Sequence, residues 1–560
     1  MALFFVKIKN TLPKKCIFLL FANNMVGDIM FDKMFSRRAA ICFFVITFLM
    51  LGCILRVAVL AVGNYEQVQI EQSTYRIKAA DSRGTIYDCK MRPVTNNSTC
   101  ILAAVSPTPQ AIMGISSLLS GEELDRVLKT LKSNKPAVCR VPYQIECDGI
   151  AFTKIYESTL DGTFASHIVG YTDSTGHGVS GLQYYYDELL YSKKGIEAQF
   201  TVNGRGEVLS GIEPTFNNDI KPISQGVVST IDVDIQSVAE NAAEGLTSGA
   251  VIIAEVKTAK IRAMVSMPQF DIYEVDKSLE ASNSPLLNRA LLSFSVGSAF
   301  KPCVAAAAIE EKAGGYTFNC KGSTQIIDRS FNCHKRDGHG LMDLRHALAF
   351  SCNCYFYNFA ISVGAESIYK MASSLNFGSS IRIADGMKTN SGNLTRLQEI
   401  SNDAVLANLS IGQGELLLSP VSMLTLYCAI SGDGTYRLPT IVEKTIRGGK
   451  QAEYKLSSPT RVMKESTAAL LRDYLSNVIT EGTGIAAMPT LCTAAGKTAT
   501  AQTGRYYENG TEITNSWFCG FFPAEKPQYV AIVMSDGATQ KSTAGIFAEI
   551  ADGVTKLSVS

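Results

Sequence analysis

The sequence predicts an α+β protein carried on a single N-terminal membrane helix, and three observations predict it. An unbroken apolar run fills residues 39–63. Apolar, strand-like runs open and close the segment after residue 220, with helical periodicity between them. The stretch between the membrane run and that segment mixes short strands, one helix and many breakers. At 560 residues the chain has room for roughly two to four domains. With 46% hydrophobic and only 18% charged residues it is too apolar to be disordered. Lys plus Arg number 52 and Asp plus Glu 51, so no global attraction to nucleic acid is expected and partners must be chosen by a local site.

Taken in order, the run AAICFFVITFLMLGCILRVAVLAVG (39–63) has Arg56 as its only charge. It exceeds the roughly 20 apolar residues that span a bilayer and is longer than the apolar region of a cleaved signal, which favours an anchor. Lys7, Lys9, Lys14, Lys15, Lys33, Arg37 and Arg38 precede it, whereas Glu66 and Glu71 follow it with no basic residue until Arg76. The positive-inside bias then places residues 1–38 in the cytoplasm and the bulk of the chain outside. Met25, Met30 and Met34 are alternative starts, and the apolar stretch 16–22 is too short to span. Arg56, near the outer end, can snorkel to the interface or face a partner helix.

Residues 64–220 read as a pedestal: strand-like at 84–87, helical near 122–132, and punctuated by Gly, Ser, Asn and Pro. Pro214, Pro222 and the polar stretch 217–225 mark its boundary with a second domain, 221–560. There, 232–246 is helical, and 249–256 with 261–267 are two strands joined by a tight polar turn. The Ala-rich stretch 298–315 is a helix that begins near Pro302 and is stopped by Gly314 and Gly315, which puts Ser298 at or beside its N-terminus. Strands at 516–522 and 529–535 and a closing helix at 544–554 complete a sheet made from both ends of the domain.

Of the 15 cysteines, Cys320 and Cys333, with His334 and His339, could together hold a tetrahedral zinc. They lack a close C-x2-C pair, so the expectation is a disulfide or free thiols, and no metal site is assigned. Cys352 and Cys354 read as packing residues. Trp517, the only tryptophan, reads as a core or cleft-wall residue.

No G-x-x-x-x-G-K-[ST] or H-E-x-x-H pattern is present. What is present is Ser298-Ala299-Phe300-Lys301, a serine and a lysine one helical turn apart beside the positive end of a helix. A desolvated lysine there can take the serine proton and leave a nucleophile. The pattern alone says little, since Ser367-Ile368-Tyr369-Lys370 repeats it on what reads as a solvated helix face. Ser330, Ser351, Ser374 and Ser391 all begin S-x-N, and Lys-Thr-Ala occurs at both Lys257 and Lys497.

Order and context choose among them. Ser298–Lys301, then Ser351-Cys352-Asn353, then Gly496-Lys497-Thr498 fall in the order of the penicillin-recognising transpeptidases. Around them stand Arg83-Gly84-Thr85-Ile86-Tyr87-Asp88, His167-Ile168-Val169-Gly170-Tyr171, Gly178-Val179-Ser180-Gly181-Leu182, Thr230-Ile231-Asp232, Asn288-Arg289-Ala290, Gly412-Gln413-Gly414, and Trp517 through Pro523. From about residue 37 to 556 the chain resembles the class B (monofunctional) penicillin-binding proteins, peptidoglycan D,D-transpeptidases.

The resemblance implies a membrane helix, a dimerisation-type pedestal and a penicillin-binding/β-lactamase-like domain with an antiparallel sheet flanked by helices. It implies that Ser298 attacks the carbonyl between the terminal D-alanines of a stem peptide, with Lys301 as base. Ser351 and Asn353 would line the opposite wall. Lys497 and Thr498 would hold the terminal carboxylate, and the backbone N–H groups of Ser298 and Thr500 would form the oxyanion hole. It implies β-lactam binding and a SEDS-type glycosyltransferase partner at the membrane, with no cofactor and no nucleic acid. Three departures stand out: Ala499 for the usual glycine, which would narrow the cleft and weaken acylation; Gln183 for a glutamate; and Cys89-Lys90-Met91 for an Arg-Asn-Gly turn. The first leaves an alternative open, a catalytically weak or inert scaffold or β-lactam sensor.

Overall fold

The computed structural model describes residues 33–62, 73–80, 82–157, 161–192, 195–217 and 225–559. The basic residues Lys7 to Lys15, the starts Met25 and Met30, the stretch 16–22, Gly63, Glu66, Glu71 and Pro222 lie outside them. The chain divides into two units, one around the first helix and a larger one formed by 76–200 and 208–560.

Helix α1 (Lys33–Val62) begins ahead of the apolar run. With no proline and only Gly52 as a weak former, nothing interrupts the helix. Ala40–Val59 is long and apolar enough to cross a membrane, with a mean hydropathy of 2.5 and none of it buried.

The larger unit includes β1 (Thr85–Tyr87), β2 (Ser98–Val105), α2 (Pro109–Leu118), α3 (Gly121–Lys132), β3 (Ala137–Val141) and β4 (Ile150–Glu157). Strand β2 lies between β3 and β4, antiparallel to both. Helix α2 starts where Thr108 Oγ1 accepts from the Ala111 N–H and Pro109 needs no donor. Ile115, Leu118, Val127 and Leu131 of α2 and α3 close over Ala103 and Val105 of the sheet. The predicted helix near 122–132 is α3.

The motif-rich segments then lock together. Gly170 has φ +78°, and a Cβ there would lie 1.9 Å from the Ser180 carbonyl oxygen, so only glycine allows these two turns to meet. Arg83 donates to Gly176 O (2.7 Å), to Gln183 O (2.8 Å) and to Gln183 Oε1, and pairs with Asp187 at 2.8 Å. Gln183 therefore keeps the arginine contact as a neutral hydrogen bond, while Asp187 supplies the charge. In the Cys89-Lys90-Met91 turn the third residue takes φ +62°, a left-handed conformation that glycine or asparagine adopts more easily.

Residues 225–559 contain β5 (Gln225–Ser229), α4 (Val233–Ala243), β6 (Gly249–Glu255), β7 (Ile261–Met267), α5 (Lys301–Glu310), α6 (Asn353–Val363) and α7 (Pro420–Ser431). They continue with β8 (Val442–Arg447), α8 (Glu465–Thr480), β9 (Ala495–Tyr506), β10 (Glu512–Phe522), β11 (Tyr529–Asp536) and α9 (Thr543–Val559). Strand β1 pairs in parallel with β5, which pairs antiparallel with β8. The main sheet has the order β7-β6-β11-β10-β9, every pair antiparallel, so it is built from both ends of the 249–536 segment. Central β6 and β11 are buried on both faces, which is why they read as unbroken apolar runs. Val251 and Ile253 face Ile235 and Ala239 of α4 and Phe547 and Ile550 of α9. Ile252 and Ile532 face the larger core with Leu424 and Tyr427 of α7. Helix α5 ends at Glu310, ahead of the predicted stop. Lys312 takes φ +62° and the Ala313 N–H returns to Ala308 O at 2.8 Å, so the chain turns left-handed on a lysine before reaching Gly314.

Candidate active site

Ser298 lies half-buried in a 3-10 turn, Gly297–Phe300, that runs straight into α5. Gly297 has φ +56°, its N–H donates to Gly412 O at 2.9 Å, and a Cβ on it would stand 2.9 Å from Thr500 O. This close approach brings the serine turn, the Gly412-Gln413-Gly414 loop and the free edge of β9 together. The buried Trp517 indole donates to Ser295 O at 2.8 Å and Tyr427 OH to Ala299 O at 3.2 Å, so the backbone on both sides of Ser298 is pinned. A strand residue points its N–H and C=O to the same side. Because Thr500 O faces the Gly297–Ser298 turn, its N–H does too, and the two donors expected of an oxyanion hole sit on touching elements.

Lys301 is fully buried. Its Nζ donates to Ser351 O (2.7 Å), Ser351 Oγ (3.1 Å) and Asn353 Oδ1 (2.8 Å), and lies 5.2 Å from the centre of the Phe356 ring. Burial pulls its pKa down to about 7. Ser351 has φ +53°, and this left-handed backbone turns its carbonyl and hydroxyl oxygens onto one nitrogen. A non-glycine residue held there costs roughly 1–2 kcal/mol. Asn353 is the first residue of α6, so its side chain is set by the helix start.

Strand β9 alternates as its pleat requires: Lys497, Ala499 and Ala501 are buried, while Thr498 is half-buried and Thr500 exposed. Lys497 Nζ, completely buried, donates to Thr498 O at 3.0 Å, and burial together with the Lys301 charge holds its pKa well below that of an ordinary lysine. Thr498 Oγ1 is 2.6 Å from Thr483 Oγ1. Ala499 pairs with Trp517 and is only 7% exposed, inside the main core. Its methyl is therefore on the packed face with Lys497, not on the accessible face with Thr498 and Thr500, which removes the basis for a narrowed cleft.

The duplicate motifs fall elsewhere. Ser367 bonds Glu311 and Lys370 pairs with Glu366 on an exposed helix surface, as expected, and Lys257 is exposed in the β6–β7 turn. Of the two arrangements expected at Cys320 and Cys333, a disulfide or free thiols, the structure has free thiols, as at every described cysteine. Cys320, Cys333, His339 and Cys352 converge, with one donor atom from each lying within 4.8 Å of the others. Cys352, a packing residue by its sequence context, is one of these four. Thr483, Phe356 and Tyr427 also belong to the site; the Gly482-Thr483-Gly484 spacing signals the first, and nothing in the sequence signals the aromatics.

Residues 249–554 match the penicillin binding protein transpeptidase domain, more than half of the chain. Stage V sporulation protein D of Bacillus subtilis is 29% identical over 395 residues, 67% of this chain and 59% of that protein. The probable peptidoglycan D,D-transpeptidase PenA of Neisseria gonorrhoeae is 27% identical over 391 residues, 68% of this chain and 63% of that protein. The chain thus spans about 60% of the length of the curated relatives it matches. Among solved structures, penicillin binding protein 3 of Mycobacterium tuberculosis superposes with a TM-score of 0.62 at 22% identity, covering 86% of this chain and 97% of that one. The D,D-transpeptidase domain from Eggerthella lenta gives a TM-score of 0.61 at 22% identity, covering 86% and 99%. With the serine turn, the Lys301 cluster and the β9 edge arranged on this fold, the chain belongs to the penicillin-binding protein transpeptidase family, as a class B member.

Proposed function

We propose that this protein is a membrane-anchored, serine-type peptidoglycan D,D-transpeptidase. The observation that carries the reading is the saturation of buried Lys301 by Ser351 O, Ser351 Oγ and Asn353 Oδ1, one helical turn from Ser298. With a pKa near 7, the amine loses its proton at neutral pH. The two N–H groups left on it stay with Ser351 O and Asn353 Oδ1, and its single lone pair becomes the base for the Ser298 hydroxyl. Ser298 Oγ attacks the carbonyl between the terminal D-alanines. The developing oxyanion is met by the N–H groups of Ser298 and Thr500, donors of a kind worth roughly 10²-fold to 10³-fold each. The tetrahedral intermediate collapses to an acyl-serine as D-alanine leaves with a proton returned through Lys301 and Ser351. The amine of a second stem peptide then attacks the ester, forming the cross-link and restoring Ser298.

Thr498 and Thr500 present hydroxyls to the substrate carboxylate, and Lys497 lies beneath the strand, where the incoming carboxylate favours its protonated form against the depression by burial. Orientation with the N-terminus in the cytoplasm and a glycosyltransferase partner of the SEDS type are part of the same reading; the charge asymmetry about α1 supports the first. The relatives named D,D-transpeptidases support the reaction class. Buried Ala499 gives the scaffold or sensor alternative no structural support.

The test is D-alanine release from a synthetic pentapeptide ending in D-Ala-D-Ala, with and without an acceptor amine, using the full chain in detergent. D-Alanine release with an amine-dependent cross-linked product, both abolished in Ser298→Ala, is expected. Release unaffected by that substitution contradicts the proposal.

A further inference from the structure

We propose that Tyr427 is a positioning residue for acylation: from α7 its hydroxyl gives the Ala299 carbonyl the hydrogen bond that Pro302 withholds from the serine turn, and so fixes the placement of Ser298. Its part in acylation rests on the transpeptidase reading above; the contact itself does not.

The turn that carries Ser298 is 3-10 and passes into α5 at Lys301, whose N–H donates to Ser298 O three residues back. The α-helical donor for that carbonyl would stand at position 302, and proline has no N–H. Position 302 is also where a 3-10 turn would find the donor for Ala299 O. Ala299 is fully buried, and a buried carbonyl left without a donor is costly. Tyr427 OH meets it at 3.2 Å.

Tyr427 reaches that point because its helix is fixed elsewhere. Helix α7 starts where Ser419 Oγ accepts from the Ser422 N–H at 3.0 Å, with Pro420 in its first turn, and Tyr427 follows about two turns on, completely buried. The same stretch of chain supplies Gly412 O, which accepts from the Gly297 N–H at 2.9 Å. One segment, 412–427, thus bonds the residue before Ser298 and the residue after it.

The tyrosine proton is committed to this bond. Trp517 and Cys519 alternate onto the same face of β10, in the core that also holds Tyr427, and Cys519 pairs with Lys497 of β9. The Cys519 thiol lies against the Tyr427 hydroxyl, and burial pushes both pKa values up, so both groups keep their protons. A neutral O–H donor therefore faces Ala299 O throughout the working pH range.

The consequence falls on the oxyanion hole, which needs the Ser298 N–H aimed at one point with that of Thr500. Releasing Ala299 O frees the peptide unit after Ser298, and a displacement of about 1 Å can cost about 100-fold in rate. Thr498 and Thr500, which meet the substrate carboxylate, lie on β9 and do not depend on the tyrosine. The loss belongs to the acylation step and not to binding.

The test follows acylation of the full chain in detergent over a range of fluorescent penicillin concentrations, which separates the binding constant from the rate constant. Tyr427→Phe removes one oxygen and keeps the ring. Its rate constant should fall about tenfold, with the binding constant within about twofold. The rate should still rise through a pH of about 7, because Ser351 and Asn353 still hold Lys301. Adding Pro302→Ala returns an N–H within reach of Ala299 O, and the double variant should acylate within about threefold of Pro302→Ala alone. An unchanged rate constant in Tyr427→Phe, a loss confined to the binding constant, or a double variant no faster than Tyr427→Phe would overturn the role. If Tyr427→Phe does not fold, the double variant decides: acylation close to that of Pro302→Ala supports the exchange of one donor for the other, and a slow or unfolded double variant contradicts it. A folded wild type that takes no label would overturn the transpeptidase reading as well, whereas a labelled wild type beside an unaffected Tyr427→Phe overturns this role alone.

Discussion

Lys301 Nζ is held 2.7 Å from the carbonyl oxygen of Ser351, a contact that exists because Ser351 adopts φ +53°. A residue in the ordinary helical or extended region would turn that oxygen away. The roughly 1–2 kcal/mol of backbone strain at Ser351 is offset by three hydrogen bonds on one buried ammonium. Ser351→Ala keeps the carbonyl but removes the hydroxyl that relays the proton. Acylation by a fluorescent penicillin should fall about 100-fold, the lower end for lost acid–base help, with little change in thermal unfolding.

The acylation rate should rise with pH through about 7 and level off above it. Burial lowers the Lys301 pKa, so the ammonium, which cannot accept a proton, dominates below about 7 and the amine above it. Between pH 6 and pH 8 the rate should increase about tenfold, as the titration of one base requires. Lys301→Arg, charged at every accessible pH, should remove the activity and its pH dependence together.

Ala499→Gly separates two accounts of this position. If the methyl obstructed the cleft, removing it would speed acylation. Because Ala499 is buried opposite Trp517, glycine should instead destabilise the protein by about 1 kcal/mol in chemical denaturation and leave acylation within about twofold.

Arg92 ties the pedestal turn to the start of α4. It meets Asp88 at 2.6 Å, Asp232 at 2.8 Å and Asp234 at 2.9 Å, and the Asp88 side chain has no exposed surface. Arg92→Met leaves that carboxylate buried without its cation. With Arg92 itself partly exposed, a loss of about 2 kcal/mol is expected in denaturant unfolding, below the range for a fully buried pair.

Much of the fold is written in local pattern. The unbroken apolar stretch at 39–63, the runs at 249–256 and 529–535, and the helical periodicity from 232 each signal their element through neighbours a few residues away. The catalytic candidates needed order along the chain, because Ser367–Lys370 repeats the spacing of Ser298–Lys301 and the spacing alone does not separate them. What stayed illegible depends on contacts between distant segments. Ala499 lies on an edge strand, yet the side its methyl takes is fixed by the pleat and by Trp517. Cys352 reads as a motif neighbour until the 318–342 lobe folds back on it. The helix stop at Lys312 was hidden because glycine, the usual left-handed residue, stands two positions later.

The central claim, that Ser298 is an acylated nucleophile, is tested most directly by the intact mass of the full chain during incubation with a penicillin, followed by peptide mapping. The account predicts a persistent increase of one penicilloyl group, mapped to Ser298 and absent from Ser298→Ala. A folded wild-type chain that gains no mass, or an adduct that survives in Ser298→Ala, would contradict it.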